Sequence, residues 1–586
     1  MLLRTKYLIG SALSVIIITS ATMPLMANEH KADIIFYGGP ILTMEGSIPS
    51  YVEAIAVKGS DIIFTGTKKE ADALKTDKTI MRDLDGKTLT PGLIDSHAHI
   101  LSFGAQAVGA NLLALPDGDV DTIDDLVARL QEFAKGDDIN RTGWIYGMGY
   151  DDSILGRHPT RHDLDKVSKD KPVMAIHISG HFSAVNSVGL KEIGYNAETK
   201  NPVGGIIRRE ADGKTPNGVL EELASMPHSS KATTPLTQAD EDYFMKKGMA
   251  MAKSYGYTTT TEGRLFGDQH LKLKNAAARG LVEIDVIGFQ DYTNRQHLDK
   301  DFSTEYKNHY RLGGLKVTLD GSPQGRTAWR TIPYVIPPDD QEAGYKGYPT
   351  IPDNAEVSAY LNEAYEKNWP VQVHVNGDAA VDQLINNLRP VVEKHGRKED
   401  HVTLIHGQLM RLDQIPPLKE LGVFQSMFPL HTFYWGDWYD KIIDRAHADN
   451  ISPMRTILDV ANRATSHSDA PVALPNLMRV VWATTNRTSR TGRIIGEAQR
   501  VSPYEAMQMV TIWAADQLGE DDKKGSLKVG KIADMVILSG NPAAIASDEI
   551  DDIIVLETFK DGRSIYQRDQ DIAFSKKEKV KTAGAK

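Results

Sequence analysis

Cysteine is absent from all 586 residues. That absence excludes disulfides, thiolate metal sites and cysteine nucleophiles, so any bound metal must be held by histidine, carboxylates or a modified lysine. A positive excess is absent too. The formal charge is −11 and the isoelectric point is near 5.9, which argues against nucleic acid as a partner. Long apolar runs are missing except at the start. In "MLLRTKYLIGSALSVIIITSATMPLMANEH", Arg4 and Lys6 precede an apolar stretch from Tyr7 to Ala21, and Ala27 or Ala21 offers a cleavage point. The run falls short of the roughly 20 residues a spanning helix needs, so residues 1–27 read as an export signal. An exported chain without cysteine suits a bacterial periplasm, with no stable membrane anchor after cleavage.

What is present is the composition of a globular protein, 41% hydrophobic and 25% charged, in a chain longer than one core usually serves. Residues 28–90 carry short alternating segments such as "ADIIFYGGPILTM" and "YVEAIAVKGSDIIFTG", separated by glycine-rich turns. Residues 500–570 repeat that texture after a helix, in "GSLKVGKIADMVILSGNP" and "IDDIIVLETFKDGRSIYQ". One small β-sandwich built from both chain ends is expected. Residues 571–586 are lysine-rich and apolar-poor, and are expected to be disordered.

Residues 91–499 have another cadence. Short apolar strands, each followed by a helical pattern, recur eight times: 92–99, 257–263, 283–289, 314–321, 370–377, 402–408, 422–428 and 464–470. Eight such units predict an α/β fold of the (β/α)8 TIM-barrel type, with its site at the C-terminal ends of the strands. A doubly wound sheet is the minority alternative. Residues 105–235 break the cadence and read as a large insertion after strand 1, with strands of its own near "GWIYGMGYD" and "PVMAIHISGH".

Metal-ligand side chains gather at particular strand ends. "DSHAH" places His97 and His99 two residues apart on one face of strand 1. His374 ends strand 5, His406 strand 6 and Asp469 strand 8. Imidazoles and a carboxylate on one rim are what a zinc-class ion requires. In "GGLKVTLDGS", Leu315, Val317 and Leu319 alternate with Lys316, Thr318 and Asp320, which points an ammonium group into the fold.

"PGLIDSHAHI", Lys316, His374, His406, "SDAPV" and "GSLKVGKIADMVIL" together resemble the amidohydrolase superfamily. "SGHFSAVNSVGL", "NPVGGIIRREADGKTPNGVLEELA" and "VTLDGSPQGRTA" are similar to its family 3, the branch that includes N-substituted formamide deformylases. The resemblance spans nearly all of residues 32–560. It implies a metal-dependent hydrolase that attacks a non-peptide amide or formamide-like C–N bond of a small molecule with a metal-bound hydroxide. It further implies one or two divalent ions, zinc by default, with His97, His99 and Asp469 on one and His374 and His406 on the other. Lys316 would bridge them as a CO2-derived carbamate; the alternative is an unmodified lysine paired with Asp320 or another acid. Asp469 would be the catalytic proton carrier.

Other residues carry two readings each. His181 either orients substrate or makes a structural hydrogen bond in the insertion. His467 either polarises the scissile carbonyl or supports a ligand, and Glu262 is a supporting or alternative ligand. Arg326 either meets a substrate carboxylate or forms a structural ion pair. Trp435 and Trp438, in "HTFYWGDWYDK", either wall an apolar pocket or pack against the insertion or a neighbouring subunit, and a homodimer is compatible with the chain. The same site would serve an esterase or lactonase, and a non-catalytic regulatory protein could keep the scaffold.

Overall fold

The computed structural model describes residues 31–202, 205–338 and 341–568. The expected leader and the whole of the lysine-rich tail, residues 571–586, lie outside the described residues. Eight parallel strands form the centre: β1 (Leu93–Asp95), β2 (Tyr257–Leu265), β3 (Asp285–Asp291), β4 (Tyr310–Thr318), β5 (Val371–Gly377), β6 (Val402–Leu409), β7 (Val423–Met427) and β8 (Thr465–Ser466). They pair in chain order, each with its sequence neighbour. Strands rich in Val, Ile and Leu, such as β4 and β6, are buried along their whole length because helices cover the outside while side chains fill the lumen.

Between β8 and β1 the ladder is replaced by side chains and two backbone bonds. His99 N donates to Ala470 O at 2.9 Å and Asp469 N to His97 O at 3.2 Å. Asp95 Oδ2 accepts from the hydroxyls of Ser468 (2.5 Å) and Tyr257 (2.6 Å). These contacts nearly close the barrel. The two seam strands are shorter than their sequence patterns predict, since the chain leaves the ladder to present His97, His99 and Asp469.

Connections between strands include helices Gln269–Ala278, Asn354–Lys367, Asp378–His395 and Leu430–Ile442. The connection from β1 to β2 is much longer. It opens with helix Ile100–Val108, passes through a separate six-stranded sheet from Ala110–Asn111 to Pro216–Glu222, and returns along helix Gln238–Ser254. The two flanking helices touch closely. A Cβ on Gly104 would lie 2.5 Å from Phe244 O, and one on Gly248 2.9 Å from Gly104 N. Glycine is required at this crossing because any side chain would force the backbones apart.

Both chain ends meet in one further eight-stranded sheet. Met535–Leu538 runs antiparallel to Thr88–Pro91, with Met535 opposite Pro91 and Leu538 opposite Thr88. Phe36, Ile55, Leu89, Met535 and Phe559 pack on one side of it, with the Phe36 and Phe559 rings edge to face at 5.2 Å.

Candidate metal centre

The C-terminal ends of the barrel strands bring six side chains together. His97 Nε2 lies 3.6 Å and His99 Nε2 3.5 Å from Asp469 Oδ1, and these three residues offer ligand atoms within 4.8 Å of one another. The other ring nitrogens are occupied. His97 Nδ1 meets Gln372 Oε1 at 2.8 Å, and His99 Nδ1 meets Glu262 Oε1 at 3.2 Å. Such outer partners fix the ring and the tautomer and aim the remaining nitrogen inward, so this donor set fits a divalent cation. Gly263 makes room for it, because a Cβ there would come 2.4 Å from His97 Cε1.

His374 and His406 stand beside this group, with ring centroids 4.6 Å apart at 78°. His406 Nδ1 lies 4.0 Å from Asp469 Oδ2 and 3.1 Å from His467 Nε2, and His467 Nδ1 contacts Ser426 Oγ at 2.8 Å. His406 and Asp469 adopt left-handed backbone angles, φ 79° and 50°. Strand alternation alone would not aim both side chains at the lumen; these turns do, at a cost of about 1–3 kcal/mol each.

Lys316 is buried, with Nζ 3.2 Å from His97 Nε2. Burial is the main reason its amine falls to about 7, with help from Arg264 and against the pull of Asp469, Asp291 and Glu262. The ion pair with Asp320 considered from sequence does not form. Asp320 instead accepts backbone N–H bonds from Gly377 (2.7 Å), Asn376 (2.9 Å) and Trp329 (3.0 Å), pinning the loop after β4 to the end of β5.

Burial, reinforced by neighbouring positive groups, holds His97, His374, His406 and His467 well below the usual imidazole range. They are neutral, the form that ligation requires. His99 differs. Burial would lower it, but Asp469 and Glu262 outweigh that and raise it to about 9.

A cavity of about 470 Å3 opens over this rim, lined by all six residues and by Glu262. His181 borders it from the insertion, its Nδ1 held by Glu222 Oε2 at 2.7 Å. The remaining sequence candidates do not line it. Arg326 donates to Pro337 O at 2.8 Å and lies over the Trp438 ring at 5.7 Å. Trp435 is buried behind His431, ring centroids 5.0 Å apart, and His467 sits behind His406. Sequence reasoning overlooked Gln372, Arg264, Glu222 and His431. Gln372 precedes His374 by two residues and Arg264 follows Glu262 by two, so period-2 alternation could have found both.

Residues 81–566 match the model of the amidohydrolase family. Amidohydrolase YtcJ of Bacillus subtilis is 26% identical over 91% of this chain and 99% of its own length. The N-substituted formamide deformylase of Arthrobacter pascens is 24% identical over 89% of this chain and 96% of its own. In fold, the crystal structure of an uncharacterized metal-dependent hydrolase from Pyrococcus horikoshii covers 88% of this chain and 99% of its own, with TM-score 0.70 and 22% identity. With a family match over most of its length and histidine and carboxylate ligands converging at one rim, the chain belongs to the amidohydrolase family and is a metal-dependent hydrolase of carbon–nitrogen bonds.

Proposed function

We propose that the protein hydrolyses a non-peptide amide or formamide-like bond in a small molecule, and that zinc is its metal. One observation carries this reading. The inward nitrogens of His97 and His99 face one carboxylate, Asp469, while Gln372 and Glu262 hold the outward nitrogens. Three protein ligands with room left for a further one suit a catalytic cation rather than a structural one. A second cation would be held by His374, His406 and Lys316. Lys316 can take part because its amine is neutral for part of the time near pH 7. The neutral nitrogen attacks CO2, loses a proton, and becomes a carbamate whose two oxygens can be shared.

When bound, the cations supply Lewis acidity toward the scissile carbonyl and acidify a water into a nucleophile. Asp469 stands beside both histidine pairs, where it can take the proton from the attacking water and return it to the leaving nitrogen. His181, braced by Glu222, faces the same cavity and can orient the substrate from the insertion. Export to a bacterial periplasm belongs to this proposal and is supported by the pattern of residues 1–27.

The test is metal analysis and turnover of the purified protein on amides, formamides and esters, beside two variants. Asp469→Asn is expected to lower kcat by about 10²- to 10⁴-fold, and full activity in that variant would sink the mechanism. Lys316→Ala is expected to bind fewer metal ions per chain than the wild type. Two ions in both would refute the bridging carbamate.

A further inference from the structure

Beyond the metal centre the cavity is lined by an apolar wall and by cationic and acidic side chains. Leu101, Ala105, Met148, Ile176, Phe244 and Met245 make the wall. Arg264, Lys272 and Arg279 line the cavity too, together with Glu241. All three cations have an acidic partner. Lys272 bonds Glu241 at 2.9 Å and Arg279 bonds Asp242 at 2.7 Å. Arg264 is held differently. Only its Nε is engaged, by Asp291 Oδ2 at 2.8 Å, and its guanidinium lies 4.5 Å over the Phe266 ring.

Asp291 is fully buried at the end of β3, and its other oxygen accepts from Thr293, so the brace on Arg264 is rigid. Neither terminal nitrogen of Arg264 has a hydrogen-bond partner among the described residues, and the side chain is 27% exposed, into the cavity. An arginine clamped through Nε and stacked on an aromatic ring presents two parallel N–H donors in a fixed fork, the geometry that matches a carboxylate. Asp291 offsets much of its charge, so a monoanion suits what remains better than a phosphate dianion.

We propose that Arg264 reads a carboxylate on the substrate, and that the substrate is an amide joining a carboxylate-bearing part to an apolar part that lies against the wall of Leu101, Phe244 and Met245. The position fits this role. Arg264 lies on β2 two residues past Glu262, and both side chains line the cavity over the ligands.

The assignment rests on the amidohydrolase reading, and one experiment separates the two. Metal-loaded protein is assayed on N-acylglycines, with acyl groups from acetyl to benzoyl, against the corresponding glycinamides, which lack only the charge. Calorimetry measures binding of the same carboxylates. The wild type is expected to favour carboxylates by about 10- to 100-fold in kcat/KM, with benzoyl ahead of acetyl. Arg264→Gln should lose that preference through KM, losing more on the N-acylglycines than on the glycinamides, and bind the carboxylates at least about tenfold more weakly. Because Arg264→Gln leaves Asp291 unpaired, Arg264→Lys and the double variant Arg264→Gln/Asp291→Asn are run beside it, with metal content and thermal unfolding as controls. Equal losses on both substrate series, or carboxylate binding untouched in all three variants, overturn the role of Arg264. Absence of turnover on every compound overturns the amidohydrolase reading, while the calorimetry still decides whether Arg264 holds a carboxylate.

Discussion

His99 is the one ligand histidine whose proton is held tightly, and its reasons are local. Its two ring nitrogens face Glu262 and Asp469, and the two carboxylates overcome burial to raise it to about 9. In chelated protein the charged ring therefore stabilises the fold fully below its unfolded value of about 6.5. That contribution is lost as pH rises from about 6.5 through 9. A cation must displace the same proton, so apparent metal affinity should climb over that window, by up to about 100-fold between pH 7 and 9. Competition with a chelator at the two pH values measures it, and Glu262→Gln should flatten the slope. An equal slope in that variant would mean that Glu262 does not hold the proton. Lys316 contributes with the opposite sign. Its folded value of about 7 lies below the unfolded 10.5, so its share of stability rises with pH across that interval.

Among elements, the seam between β8 and β1 carries the most chemistry on the least ladder. β1 has three residues and β8 two, yet His97, His99 and Asp469 all follow them directly. Asp95 substitutes for the missing ladder. Oδ2 accepts from Tyr257 and Ser468 hydroxyls, and Oδ1 from the backbone N–H groups of Ser468 (3.3 Å) and His97 (3.4 Å). Asp95→Asn keeps the size but only one accepting oxygen, so buried donors on one side lose their partner. A loss of about 1–3 kcal/mol in urea unfolding is expected, together with weaker metal retention. Unchanged metal content in that variant would show that the ligands are placed without the seam.

Across the whole molecule, buried charge ties the barrel to the C-terminal segments. Lys560 Nζ lies 3.1 Å from both oxygens of Asp534 and 3.0 Å from Asp285 at the start of β3. Lys524 bonds the same Asp285 and also Glu520, which pairs with Arg311 on β4 at 3.0 Å. Near the other end, Arg479 joins Asp551 (2.9 Å) to Asp117 in the β1–β2 connection. A buried pair stabilises little over an apolar replacement, but removing one member strands the others. Lys560→Met should therefore cost about 3–5 kcal/mol, read as a lower midpoint of thermal or urea unfolding. A midpoint within error of the wild type would mean that Asp534 and Asp285 find other partners.

The sequence by itself determined the periodic features. Short apolar runs, each followed by a helical pattern, specified the eight strands, and strand-end position marked His97, His99, His374, His406 and Asp469. It also located the connection that breaks the barrel cadence, since a missing period is as legible as a present one. Only the tertiary structure decided the rest. It gave Asp320 to three backbone N–H groups instead of to Lys316, withdrew Arg326, Trp435 and Trp438 from the cavity, and brought Gln372 and Glu262 against the ligand rings. Those outcomes depend on contacts between residues far apart in the chain and on left-handed turns at His406 and Asp469, which leave no periodic trace.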